Sequence, residues 1–273
     1  MDTDFRFAPG TAFVTLLAAP PGDQAPWLGR LQALLRVDAY ALTALVRRAP
    51  PVILGAAPPD EASRCVETIE GAGGRACLPS WQAMGALGNS EEVTAVEFGV
   101  DGLLCTLKSG RALVEHHQTL MVCHGVLKTR VRETRVVMTP VTRFLPLAAD
   151  QTLETAEATV QDRHSRHEEV RLWLRSGRCL RVTRQCAFPR AWGDRVNWRV
   201  NLLRFVREFT AWDPSARLDH AFGSFIPPRD LKARLDKVKV TTDWDVATQT
   251  NVPAFEFYTR WRFCLEDPSW GAR

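Results

Sequence analysis

Thr106–Val114 reads T-L-K-S-G-R-A-L-V, and Trp173–Arg181 reads W-L-R-S-G-R-C-L-R. Each sets Ser-Gly between two runs that alternate apolar and polar residues. Glycine accepts the positive φ that a tight turn demands, so this pattern predicts a β-hairpin at each place. Two hairpins some seventy residues apart anchor one β-rich unit, and the rest of the chain is read outward from them.

Around the first hairpin, Val93–Phe98, Leu103–Lys108, Arg111–Val114 and Gln118–Cys123 read as short strands, and Leu127–Met138 as a longer, charged one. Residues 143–168 are rich in Thr, Glu and Asp without a buried face, and read as a long loop excursion. Glu169–Leu174 and Arg178–Thr183 form the second hairpin. A helix follows at about Arg195–Trp212. Its inner stripe is expected from Val196, Val200, Leu203 and Val206, widened by Leu202, Phe205 and Phe209. Seven strands and one amphipathic helix give residues 93–213 a layout similar to a pleckstrin-homology-like barrel.

The last segment, 214–273, reads as a β extension. Phe255, Phe257, Thr259, Trp261, Phe263 and Leu265 alternate with Glu256, Tyr258, Arg260, Arg262 and Cys264. That is the period of a half-buried strand. Val238, Val240, Thr242, Trp244 and Val246 suggest its partner. A two-stranded unit is marginal alone, so the aromatic face of Phe255, Phe257, Trp261 and Phe263 must be covered, by its own core or by another protein.

Upstream of the core unit the signals are helical. Thr11–Leu17 reads as a strand. Leu28, Leu31, Leu34 and Leu35 have helical spacing, and Asp38 is an N-cap for a second helix carrying Leu42, Leu45 and Val46. Pro50-Pro51 ends it, and Val52–Leu54 is a short strand. Pro59, Asp60 and Glu61 open a third helix with proline and acids in its first turn. Arg75–Leu78 closes the unit as a strand. The order is βααβαβ over residues 1–80, and Pro79–Glu92, rich in small residues, reads as a linker covering 81–92.

Leu45-Val46-x-x-Ala49-Pro50, Ile53-Leu54, Asp60-Glu61-Ala62 and Glu70-Gly71-Ala72-Gly73 occur here at intervals similar to those of the C-terminal domain of the bacterial ribosomal stalk protein. Phe13–Leu78 resembles that domain throughout. The resemblance implies its βααβαβ fold and a docking role. The family recruits translation GTPases through a Lys/Arg-rich face on the first two helices. The corresponding stretches here, Leu28–Gln32 and Tyr40–Thr43, contain no lysine.

Charge and composition bound the rest. At 273 residues with 45% hydrophobic and 24% charged content, the chain can bury a sizeable core. No apolar run approaches the ~20 residues that span a bilayer. The acidic Met1–Asp4 lacks the basic start of a signal peptide. Seven scattered cysteines without C-x-x-C suggest reduced thiols in a cytosol. Only five of 35 basic residues are Lys, an arginine bias that points to a GC-rich bacterial genome.

Residues 163–207 hold twelve Arg against Glu168, Glu169 and Asp194, in a chain whose net charge is only +4. Arg171, Arg175 and Arg181 interleave with leucines, which places guanidinia on one sheet face near Trp192 and Trp198. Such a face can bind single-stranded nucleic acid, or be neutralised by an acidic protein or by the chain's own Glu154, Glu157 and Asp162.

Catalytic signals are sparse. His116-His117, Cys123-His124 and His164-x-x-His167 lack zinc-ligand spacing. There is no G-x-S-x-G, phosphate-binding loop, dinucleotide fingerprint or H-E-x-x-H. The sequence therefore leads to an α+β cytoplasmic protein, with no catalytic residue, metal, cofactor or membrane expected. The role expected is protein interaction, as an adaptor or accessory subunit of a larger bacterial assembly. RNA binding or ribosome association through the Arg-rich region is the alternative. The expected contact residues are Arg171, Arg175, Arg181, Arg199, Phe255, Phe257, Trp261 and Phe263.

Overall fold

The computed structural model describes residues 7–8, 10–22, 24–143, 151–192, 198–227, 238–241 and 245–271. Its N-terminal part follows the order βααβαβ: β1 (Ala12–Ala18), α1 (Ala25–Leu35), α2 (Ala39–Val46), β2 (Val52–Ala57), α3 (Pro59–Gly71) and β3 (Arg75–Cys77). The small sheet is antiparallel, ordered β2-β1-β3. Its boundaries have local causes. The Asp38 carboxylate accepts from Ala41 N at 3.1 Å and caps α2. Pro59, Asp60 and Glu61 occupy the first turn of α3, and Gly73 leaves that helix at φ +86°. Leu16, Leu31, Leu42, Leu54, Cys65 and Ile69 make its core.

Residues 81–92 are not a linker. The Ser80 hydroxyl accepts from Ala83 N at 3.0 Å and starts α4 (Trp81–Ala86), and β4 (Ser90–Phe98) begins soon after. The helix forms because it has a cap and an apolar side, with Ala83 and Met84 buried.

The expected hairpins are β5 (Leu103–Leu107) with β6 (Gly110–Val114), and β8 (Gln151–Leu174) with β9 (Cys179–Ala187). Gly110 and Gly177 take φ of 139° and 82° in the two turns. With β4, β7 (Thr119–Arg143), β10 (Arg217–Asp219), β11 (Val238–Thr241) and β12 (Asp245–Thr250) they build a nine-stranded sheet. Its order is β11-β12-β7-β8-β9-β4-β5-β6, and β10 lies parallel to β7. The sheet is open, so the barrel expectation is corrected. A barrel closes to bury one face on itself. Here α5 (Trp198–Trp212) covers one face, and α6 (Val252–Glu266) with the N-terminal unit covers the other.

Three further expectations change. The polar stretch 143–168 is mostly strand: β8 pairs residue for residue with β7 from Gln151 onward, and 144–150 lie outside the described residues. Val160–Arg166 are exposed on both faces of β8, so no apolar alternation marks that part of the strand. On α5, Leu202, Phe205, Val206 and Phe209 face inward, while Val200 and Leu203 are 59% and 43% exposed. The stripe is turned about one residue from the expected one, and Val196 lies outside the described residues. Finally, Phe255–Leu265 is helix rather than strand. The partner strands β11 and β12 exist and pair with each other, with Thr242 and Trp244 outside the described residues. No described helix is long and apolar enough to cross a membrane.

Candidate functional site

The eight expected contact residues divide sharply. Phe255, Phe257, Trp261 and Phe263 lie on α6, where every residue from Phe255 to Cys264 is buried. The Phe257 ring meets Phe13 of β1 at 5.0 Å, and Trp261 Nε1 donates to Thr15 Oγ1 at 3.0 Å. Phe263 packs on Trp173 at 5.1 Å. The aromatic face is thus covered by the chain's own two sheets.

Arg171 is 1% exposed and points at the same helix. Its Nε donates to Glu169 at 2.8 Å, its Nη1 to Glu256, and its guanidinium lies 5.0 Å from the Phe255 ring centre. Glu256 also accepts from Arg260 at 2.7 Å, and Arg260 donates to the Met84 and Leu87 carbonyls at 2.8 and 3.0 Å. Burial pushes the Glu256 carboxyl up, but Arg171 and Arg260 outweigh it and hold it below the usual carboxylate value. Two predicted sites, the arginine face and the aromatic strand, are therefore one internal junction. Pairing in sequence could not reveal it, because Arg171 and Glu256 are 85 residues apart.

The other arginines are also engaged. Arg181 stands opposite Arg171 in the sheet, half-buried, 3.7 Å from Glu92. Arg175 Nε donates to the His117 carbonyl at 2.8 Å. Arg199 Nε lies 2.6 Å from Glu168, a buried carboxylate that also meets His124 Nε2 at 3.1 Å. His124 Nδ1 in turn faces His220 Nδ1 at 3.2 Å, a contact that needs one proton between two nitrogens. Burial, then the nearby His124, lowers the His220 pKa from its ordinary value.

The exposed feature that sequence reading missed is the β7–β8 ribbon. Twenty-four register pairs join Thr119–Arg143 to Leu174–Gln151. The sheet accompanies it only part of the way. β9 pairs with β8 over Val170–Trp173, and β12 pairs with β7 over Thr129–Thr134. Between β12 and β8 lies a groove of about 390 Å³ lined by Lys128, Arg130, His164, Ser165, Arg166 and Gln249, among others. The signal that could have found it was the charge alternation of Leu127–Met138.

Thiol chemistry is suppressed by burial. The Cys105, Cys179, Cys186 and Cys264 thiols are pushed up to about 12, so they stay protonated at neutral pH. Among the described residues no group of three His, Cys, Asp or Glu side chains is placed to hold a metal ion. No family model, curated protein or solved structure matches this chain.

Proposed function

We propose that the protein is a non-catalytic interaction subunit of a larger bacterial cytoplasmic assembly, with the β7–β8 ribbon as its docking arm. The ribbon's overrun carries this reading. Arg135–Arg143 and Gln151–Thr159 pair only with each other among the described residues. At ~3.4 Å per residue these nine pairs reach about 30 Å past the last supporting strand. Two strands alone are marginal in water and leave hydrogen-bonding edges open on both sides, which a partner's strand or surface completes. The βααβαβ order of the first eighty residues supports a second docking module, in keeping with its resemblance to the ribosomal stalk domain.

The test replaces residues 136–158 with Asn-Gly in the full chain. The melting temperature is expected to stay the same, while a stoichiometric partner is lost on purification from the source cells. A shortened protein that keeps the same partners overturns the docking role.

A further inference from the structure

We propose that the face formed by β12, β7 and β8 at the base of the ribbon binds single-stranded RNA. This goes beyond the docking role and rests on different residues from the ribbon's far end. Side chains alternate across a strand, so Lys128, Arg130 and Arg132 share one face of β7. The register sets Arg166 opposite Lys128, His164 opposite Arg130 and Asp162 opposite Arg132. Gln249 of β12 flanks Arg130 on its other side.

Among the described side chains of these three rows, four cations therefore meet one carboxylate. Asp162 accepts from Arg130 at 2.6 Å and lies 3.8 Å from Arg132. Glu133 points to the opposite face, 4.0 Å from Arg163. One row nearer the core, Glu168 is held by Arg199 and His124 and does not compensate the stripe. Lys128 and Arg166 are exposed, and their side chains make no hydrogen bond or ion pair among the described residues. The same is true of the Gln249 amide beside them. By contrast, Asn251 is committed, accepting from Lys128 N and donating to the Val126 carbonyl.

Unpaired cations attract any polyanion, so the neighbouring groups decide which. Arg forks bind phosphate oxygens bidentately. A free guanidinium plane stacks on a splayed base, and a free amide reaches 2′-hydroxyls and base edges. His164 and Gln249 flank Arg130 on an open sheet face three strands wide, which suits a flexible ribose-phosphate chain better than a carboxylate-bearing peptide.

The experiment titrates the full-length protein against a fluorescein-labelled, uridine-rich RNA of about 12 nucleotides, read by polarisation. Binding is expected at ~50 mM KCl, with log Kd rising against log salt at a slope of about 3, roughly 0.7 for each of four phosphate contacts. Lys128→Glu with Arg166→Glu is expected to weaken binding by more than about tenfold and to flatten the slope. The neutral pair Lys128→Gln with Arg166→Gln should do so less, and guards against a folding defect in the charge-reversed protein. Arg184→Glu, an exposed arginine of β9 off the stripe, makes the same charge change at a single site and should leave Kd unaltered. No binding at ~50 mM salt, equal loss from Arg184→Glu, or tighter binding of poly-glutamate or an RNA duplex of the same length would each overturn the proposal.

Discussion

Two stretches of this chain carry charge in alternation, and they end in opposite places. In α6, Phe255–Cys264 reads F-E-F-Y-T-R-W-R-F-C and every residue is buried. On the ribbon, Lys128–Thr134 reads K-T-R-V-R-E-T, and its cations stand in water. The difference is the supply of partners. Glu256, Arg260 and Arg262 each meet an opposite charge, Arg262 lying 2.6 Å from Asp219. Tyr258 donates to that same Asp219 at 2.7 Å. Lys128 and Arg166 meet none. An alternating pattern marks two chemically different faces, and whether either face is wet depends on what the rest of the chain brings to it.

The comparison breaks most visibly at Arg171. Arg171→Ala leaves Glu169 buried without its cation and Glu256 with Arg260 alone, and removing one member of a buried pair costs about 3–5 kcal/mol. Urea unfolding of the full chain is expected to show a large drop in midpoint; a loss under ~1 kcal/mol, the scale of an exposed pair, would mean that the network is solvated. Trp261→Ala comes next. It empties the space between α6 and β1 and abandons the Thr15 hydroxyl, with an expected cost of about 3–5 kcal/mol for a buried aromatic. Because Trp261 joins the two sheets, one cooperative transition should move as a whole; separate melting of the N-terminal unit would count against the shared core.

Gly125→Ala tests how closely α6 approaches the ribbon's root. A Cβ there would lie 2.4 Å from the Phe255 ring, and overpacking of this kind costs about 1–3 kcal/mol. A neutral result in a thermal melt would show that the helix can shift. The His124–His220 contact sharpens the comparison by pH. The folded state lowers the His220 pKa from its ordinary 6.5. The unfolded chain therefore takes up the proton first as pH falls. Stability contributed here is complete above that value and declines as pH drops below it toward the folded value. His220→Asn should flatten this part of the pH–stability curve, and an unchanged curve would assign the slope to other groups. The smallest effect is expected on the stripe itself: Lys128→Glu should move stability by less than about 0.5 kcal/mol, and a larger loss in the same melt would reveal a structural partner for its ammonium.

Legibility followed the range of the interactions. The Asp38 cap, the prolines at Pro50, Pro51 and Pro59, and the Ser-Gly turns act over a few residues, and those elements lie where the sequence puts them. On α5 the helix was legible, but its inner edge shifted from Val200 and Leu203 to Leu202 and Phe205, because the sheet beneath it selects the face. The β8 half of the ribbon was not legible because strand recognition relies on one apolar face, and Val160–Arg166 are exposed on both faces. Of the expected contact residues, Arg171 and the four aromatics were recognised as important and assigned to the wrong side of the surface. The cations now at the centre of the candidate site stand out through register alone, which aligns Lys128 with Arg166 across 38 residues of chain.

By itself the sequence determined the βααβαβ order, the two tight hairpins, the existence of α5 and the surplus of arginine between residues 163 and 207. Caps, turn glycines, prolines and helical periodicity are local, and each stabilises its element whatever lies nearby. Tertiary structure alone decided the state of Phe255–Leu265. Its aromatic and β-branched composition favours a strand, and a strand would bury one face and wet the other. Thr15, Met84 with Leu87, Arg171 and Asp219 come from four distant parts of the chain to surround it. With donors and acceptors on every side, the segment needs its backbone hydrogen bonds satisfied internally, and a helix does that without a neighbouring strand.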